Sequence, residues 1–274
     1  MKKTVLMLIL AICVTNVFAQ KKEKLKGNKI VTDVFNTLEG FNAIDIGDNL
    51  KVTISQAANN GYHLMADENL VSDINFQVID SVLKIYTTSN IVSKKKLEID
   101  LTVKNISNVT LRNDAELICT SKIYAKNLTF AAFDDAAFKL DLKADNSYFR
   151  LAKSVSGEIN LTGEKAIVML DENAFMKGNV VLDELELKMV DRSDLNLSGE
   201  VTELKFTGTN SGTLKGKDLK TTNSNVTISE SSNIYIYTSK LLNIYAKDKS
   251  KIYVYGEPEI KVDGLNDKAE IIKR

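Results

Sequence analysis

The sequence predicts an all-β chain, a right-handed parallel β-solenoid (β-helix) of about eight coils continuous with a β-rich N-terminal head. Three observations carry that prediction. From about residue 106 onward one phrase recurs: a short alternating strand, a polar turn, then a second strand of alternating apolar and polar residues. The first apolar residue after each turn is Leu117, Phe138, Ile159, Met176, Leu195, Leu214, Ile234 and Ile252, at intervals of 17 to 21 residues. Such a period belongs to strand-containing solenoid repeats and is far shorter than a propeller blade. Finally, the repeats show no helical periodicity, and the 274 residues contain a single Pro, so the backbone can donate to a continuous ladder.

Taken in chain order, residues 1–19 read as a signal peptide. Lys2 and Lys3 supply the positive start, Val5 to Val14 the apolar run, and Val17-Phe18-Ala19 the exit site. The run is too short to cross a membrane, and no other segment reaches that length, so an integral membrane span is not expected. Cys13 follows Ile12, where lipidation requires a small residue. The exported chain then begins at Gln20 and is bound for the periplasm, the outer surface or the medium. It retains one thiol, Cys119, so no internal disulfide can form and stability must come from the core.

Residues 20–29 form an N-terminal tail and 30–105 the head. In the head, Phe41 to Ile46 and Leu50 to Ile54 flank Gly47-Asp48-Asn49, a hairpin signal. Further strands run from Tyr62 to Ala66, Phe76 to Ile79, Val82 to Tyr86 and Leu97 to Val103, with Asp80-Ser81 as the turn of the middle pair. No Gly/Ser-rich or Pro-rich stretch separates the head from the coils that follow.

Residues 106–264 form the solenoid. Two positions beyond each repeat anchor lie Cys119, Leu140, Leu161, Gly178, Leu197, Gly216, Ile236 and Val254, the period-2 pattern of a strand with one buried face. A second strand places Leu151, Val168, Leu187, Phe206 and Val226 eight positions before an anchor. Eight coils at the inter-strand spacing give a rod about 40 Å long. Residues 265–274 are left as a C-terminal tail.

Composition excludes several functions. Lys and Arg number 36 and so do Asp and Glu, for a formal net charge of zero, which removes the electrostatic footprint of a nucleic-acid binder. One His, His63, and two Cys leave no ligand set for structural zinc and no His-based triad. No cofactor is expected.

The order Phe41-x-x-Ile44-x-Ile46, Val52-x-Ile54, Leu83-x-Ile85 and Leu97-x-Ile99-x-Leu101-x-Val103, followed by serial polar turns, resembles the family named "putative auto-transporter adhesin, head GIN domain". The resemblance runs from about residue 30 to 264. The family's Gly-Ser-Gly turns are here Asn113-Asp114-Ala115, Asp134-Asp135-Ala136, Ser154-Val155-Ser156-Gly157 and Asn210-Ser211-Gly212. The resemblance implies an exported bacterial β-solenoid and carries over no catalytic residue.

Two sets of residues are candidate sites. Asp134, Asp135, Asp171, Glu172, Asp191 and Asp194 are the acids a polysaccharide-active β-helix enzyme would use, or a column of calcium-binding oxygens. All lie in or beside repeat turns, where Asp is favoured because its side chain bonds the turn backbone. The outward residues between each anchor and its follower are Ile118, Lys139, Asn160, Lys177, Asn196, Lys215, Tyr235 and Tyr253, with Tyr237 and Tyr255 two positions beyond the last two. Tyr235, Tyr237, Tyr253 and Tyr255 therefore form a two-by-two patch suited either to a sugar ring or protein partner or to a stiffening ladder. Cys119 reads as a small buried hydrophobe, and His63 as a surface or half-buried strand residue. The functional expectation is a non-enzymatic, adhesin-like binding or scaffolding module that faces a glycan or an envelope or surface protein. The alternatives are the polysaccharide-active enzyme and a purely structural envelope protein.

Overall fold

The computed structural model describes residues 22–274. The expected signal peptide, its exit site and the start at Gln20 lie outside the described residues. The fold is nearly all β, with stacked parallel coils forming a β-solenoid of about nine turns. The only helical element among the described residues is a 3-10 turn, Glu68–Leu70.

Each coil contributes strands to faces that run the length of the stack, and residues of equal position pair from rung to rung. On the first face one inward column reads Leu83, Ile44, Val109, Phe130, Phe149, Val168, Leu187, Phe206, Val226 and Ile244, and it ends at the exposed Val262 of the last rung. On the second face the equivalent column begins Ile99, Val52, Leu117, Phe138 and continues through Met176, Leu195, Leu214, Ile234 and Ile252 to Ile271. All the repeat anchors are buried, so the apolar columns form one continuous core.

Between the two faces the chain turns a corner that must pass through the left-handed region. The corner residues with positive φ include Asp114 (60°), Asp134 (59°), Lys153 (66°), Glu172 (55°), Asp191 (55°), Asn210 (64°), Glu230 (59°) and Asp248 (65°). Asp and Asn tolerate this conformation best among residues with a Cβ, which explains how the turns dispense with Gly-Ser-Gly. Just inside the corner sits a small residue in coil after coil: Ala115, Ala136, Ala174, Ser193, Ser232 and Ser250 are all buried.

The register corrects one repeat anchor. Phe138 pairs with Gly157, and Gly157 pairs with Met176, so the third coil is anchored by Gly157, and Ile159 takes the follower position opposite Leu140. The partner eight residues upstream accordingly shifts from Leu151 to Phe149, and the outward residue from Asn160 to Glu158. The cause is packing. A Cβ on Gly157 would lie 2.0 Å from the Phe138 ring, so the oversized side chain on one rung fills the site left empty on the next.

The hairpin expected at Gly47-Asp48-Asn49 is also corrected. Ala43–Ile46 and Lys51–Gln56 do not pair with each other; each pairs in parallel with strands of other coils, Ala43–Ile46 with Val82–Thr87 and Asn108–Leu111, and Lys51–Gln56 with Leu97–Val103 and Glu116–Cys119. Asp48 and Asn49, at φ 61° and 57°, form a solenoid corner like those downstream. The coil 43–54 thus lies between the coil 82–103 and the coil 108–119, out of chain order. At the other end, residues 265–274, read above as a tail, carry a further corner at Asp267 and the strand Glu270–Lys273, which pairs with Lys251–Tyr255.

The N-terminal end of the stack is closed by reversing strand direction. Ile74–Ile79 pairs antiparallel with Val82–Thr87 through the Asp80-Ser81 turn. Gly61–Asp67 pairs antiparallel with Leu97–Val103, and Val31–Thr37 lies antiparallel outside it. These strands cover edges that would otherwise expose a parallel ladder. Asp67 fastens the cap. Its side chain is fully buried and accepts hydrogen bonds from the backbone N–H of Lys29, Lys95 and Lys96, tying the N-terminal segment to the stretch before Leu97. Burial pushes the Asp67 carboxyl up, but the backbone donors outweigh it and hold the pKa below its ordinary value of 3.8.

Two outcomes are expected. Gly157→Leu restores an apolar anchor to the sequence pattern yet destabilises the protein by about 1–3 kcal/mol through overpacking. Adding Phe138→Ala recovers part of the loss, as thermal unfolding of the two variants will read. Asp67→Asn lowers the urea midpoint at neutral pH. Because the folded carboxyl titrates below its unfolded value, its stabilisation is present above about pH 4 and fades as acid protonates the folded group. The gap between wild type and Asp67→Asn therefore narrows below pH 4; a gap unchanged by pH contradicts the assignment.

Candidate functional site

The outer surface of the regular coils is organised by neighbours on adjacent rungs. Glu158 lies between Lys139 and Lys177, at 3.5 and 3.2 Å, and the two ammonium groups, Lys177 foremost, hold its carboxyl below the ordinary range. Lys165 meets Glu184 at 2.9 Å, and Glu186 meets Lys188 at 2.9 Å and Lys205 at 3.5 Å. Three of the six candidate acids have hydrogen-bond partners at the corners. Asp134 accepts a hydrogen bond from Lys153, which lowers the Asp134 pKa and raises that of Lys153. Asp191 accepts from the Asn210 amide, and Asp171 from the Glu172 backbone N–H. Asp135 and Asp194 are exposed. No group of three or more potential metal ligands occurs among the described residues.

The structure brings Tyr235 and Tyr253 together and sets Tyr237 and Tyr255 in register beside them. Tyr235 and Tyr253 stack with centroids 4.5 Å apart and planes 5° from parallel. The guanidinium of Arg274 lies 5.5 Å from the Tyr253 ring centre. All four tyrosines are half-buried. The Tyr253 ring is thus packed by Tyr235 and approached by Arg274, the geometry of a cross-strand ladder.

Tyr237 belongs to a second feature, which sequence reasoning did not find. Across five successive rungs Thr162, Val181, Glu200, Lys220 and Tyr237 are register partners on the third side of the coil. They line an open groove of about 410 Å³ that runs along the rod for about 19 Å at the inter-strand spacing. The regular ladder breaks at its end: the register shifts between Asn196 and Ser198, and again between Gly216 and Lys220. Below the break, a hydroxyl cluster is set into the apolar core. Thr221 Oγ1 lies 2.7 Å from Ser224 Oγ and 3.0 Å from Thr238 Oγ1, and it donates to the Tyr237 carbonyl at 2.7 Å. All three hydroxyl residues are buried, so the network fixes the floor on which Tyr237 stands. The five rungs carry five different residue types, and therefore leave no repeat signal in the sequence.

Stacked parallel coils closed by a reversed-strand cap define the chain as a capped β-solenoid. The family model described as "Putative auto-transporter adhesin, head GIN domain" matches residues 40–169 and 152–258, and the chain belongs to this family. No curated protein matches it. Crystal structures of other proteins share the fold, among them three from Parabacteroides species. A putative adhesin from Parabacteroides merdae is 19% identical with a TM-score of 0.70, over 92% of this chain and 99% of that one. A putative lipid binding protein from Parabacteroides distasonis is 16% identical with a TM-score of 0.67, over 92% and 100%. A putative adhesin from the same organism is 16% identical with a TM-score of 0.66, over the same shares.

Cys119 packs against the core opposite Ile54, and burial pushes its thiol up to about 11. A thiolate is therefore scarce at neutral pH. Ellman reagent at pH 8 is expected to leave the folded protein unmodified and to titrate one thiol after denaturation; rapid reaction of the native chain contradicts this placement.

Proposed function

We propose that the chain is an exported, non-enzymatic recognition module of the adhesin type, which lays an extended glycan along the third side of its solenoid. The groove carries this reading. It offers, rung by rung, a hydroxyl at Thr162, an apolar step at Val181, a carboxylate at Glu200, an ammonium at Lys220 and an aromatic ring at Tyr237. A linear polymer with a repeat along the rod axis meets these groups in sequence, and the buried hydroxyl network holds the Tyr237 end rigid. Rigid presentation lowers the ordering cost of binding. Family membership supports a surface role, and the leader read at residues 1–19 supports export.

The stacked rings of Tyr235 and Tyr253 favour a second reading for that pair, as a strut that stiffens the C-terminal coils. An aromatic pair of this kind contributes about 0.5–1.5 kcal/mol beyond its buried area. A chain of this size shifts its melting temperature by about 2–4 °C per kcal/mol.

The test is a glycan array and an envelope-fraction pull-down with the chain from Gln20. Tyr237→Ala is expected to weaken saturable binding about tenfold at a temperature where the variant remains fully folded. Tyr235→Thr/Tyr253→Thr is expected to lower the melting temperature by a few degrees and to retain binding. Loss of binding only in the second variant moves the ligand to the tyrosine ladder, and capture of an envelope protein in place of glycans changes the partner class. Release of shortened sugars assigns the chain to the polysaccharide-active enzymes, and no binding at all leaves the structural envelope role.

A further inference from the structure

The outward face of the N-terminal cap carries Phe35, which at 71% exposure is the most exposed of the large hydrophobic residues described. A single exposed apolar side chain is ordinary; what sets Phe35 apart is how its ring is held. Phe35 stands opposite His63 in the antiparallel pairing of Val31–Thr37 with Gly61–Asp67. The two rings stack with centroids 4.1 Å apart and planes 1° from parallel, which leaves the other face of Phe35 to solvent. His63 is itself held from both sides, with Nε2 2.8 Å from Asp33 Oδ1 and Nδ1 3.6 Å from Asp100 Oδ2. Three strands thus converge to fix one aromatic platform.

A concavity of about 450 Å³ opens beside the platform, walled among others by Phe35, Asn36, Asn59, Tyr62, His63 and Asp100. Its chemistry is that of a small-molecule site, an apolar surface with a few polar groups at the rim. The Asp100 side chain is 58% exposed and has acceptor capacity beyond its contact with His63, and the Asn59 amide can both donate and accept. An anionic ligand would meet Asp33 and Asp100. A simple cation would have to draw both carboxylates away from the imidazole they orient. A neutral pyranose satisfies the site as it stands: its C–H face packs on an aromatic ring while its hydroxyls reach carboxylate and amide groups.

We propose that this face is a binding subsite for a neutral hexopyranose, stacked on the free face of Phe35 and hydrogen-bonded by Asp100 and Asn59. The subsite is built from other elements than the groove along the solenoid, and it stands even if the groove binds nothing.

The experiment is saturation-transfer NMR on the exported chain with the methyl glycosides of glucose, galactose and mannose and their disaccharides. Transfer to C–H protons of one sugar face is expected. Phe35→Ala weakens it at least tenfold, Phe35→Tyr restores it, and Asp100→Asn weakens it several-fold. Phe35→Ala gives up the stack on His63 and is expected to lower the melting temperature by no more than a few degrees, so transfer is read where both proteins are folded, with sedimentation of both alongside. No signal from any sugar, or full signal in Phe35→Ala, overturns the proposal. Loss of signal in Tyr237→Ala alone assigns the sugar to the groove and overturns it as well. So does a wild-type dimer that Phe35→Ala dissociates in the absence of any sugar signal, because a second copy then covers this face.

Discussion

Everything in this molecule depends on one constraint: a parallel ladder places each residue directly above the residue one coil earlier. A coil cannot change its corner, strand length or inward side chain without answering to the rungs on both sides. The left-handed corner is the part that repeats most strictly, because it aligns one coil with the next. From Asp134 to Asp191 it recurs every 19 residues, at φ between 55° and 66°. A Cβ is disfavoured there by about 1–2 kcal/mol, and most corners carry Asp or Asn, whose short side chains moderate the cost. They also let neighbouring corners bond one another, as Asp191 does with Asn210 and Asp248 with the Glu230 backbone.

The same constraint governs the core. Volume is conserved along a column and not at a position, so Phe138 above Gly157 is one packing unit distributed over two rungs. It also governs the ends. A parallel stack leaves an open edge at its end, and at the N-terminal end the antiparallel strands Ile74–Ile79 and Gly61–Asp67 cover it. The Asp67 carboxylate then locks the segments that no ladder reaches.

What the sequence made legible follows from this. Period, strand alternation and corners are local, and they repeat, so the solenoid and its apolar columns could be read from the chain. The stacked tyrosines were legible too, since Tyr235 and Tyr253 lie 18 residues apart in adjacent coils. The third anchor was misplaced by two residues because an apolar-pattern rule passes over Gly157 and stops at Ile159, while the column accepts Gly157 because Phe138 reaches into its place. The hairpin at Gly47-Asp48-Asn49 was misread for a different reason. A hairpin signal reports a tight turn, and the partners of that turn, Asn108–Leu111 and Glu116–Cys119, come more than sixty residues later. Nor does chain order reveal that the coil 43–54 inserts between 82–103 and 108–119. Phe35 and His63 meet across an antiparallel pair whose outer strand, Val31–Thr37, shows little of the buried alternation that marks the others.

Regularity also determines where recognition chemistry can arise on such a rod. Where the ladder repeats without interruption, outward side chains find partners on the next rung: Lys139, Glu158 and Lys177 satisfy one another, and so do Asp134 and Lys153. Such a surface has few unmatched groups to offer a ligand. Side chains become available where pairing is disturbed. Between Gly216 and Lys220 the register slips, Lys220 takes Tyr237 as its rung partner, and a set of buried hydroxyls interrupts the apolar interior. At the cap, the ladder gives way to antiparallel strands and Phe35 keeps one neighbour, His63, in place of two stacked rungs. Both candidate binding faces, the one at Tyr237 and the one at Phe35, thus lie where the solenoid departs from its own repeat, so irregularity in the ladder, more than composition of the repeats, marks where this fold can acquire a binding surface.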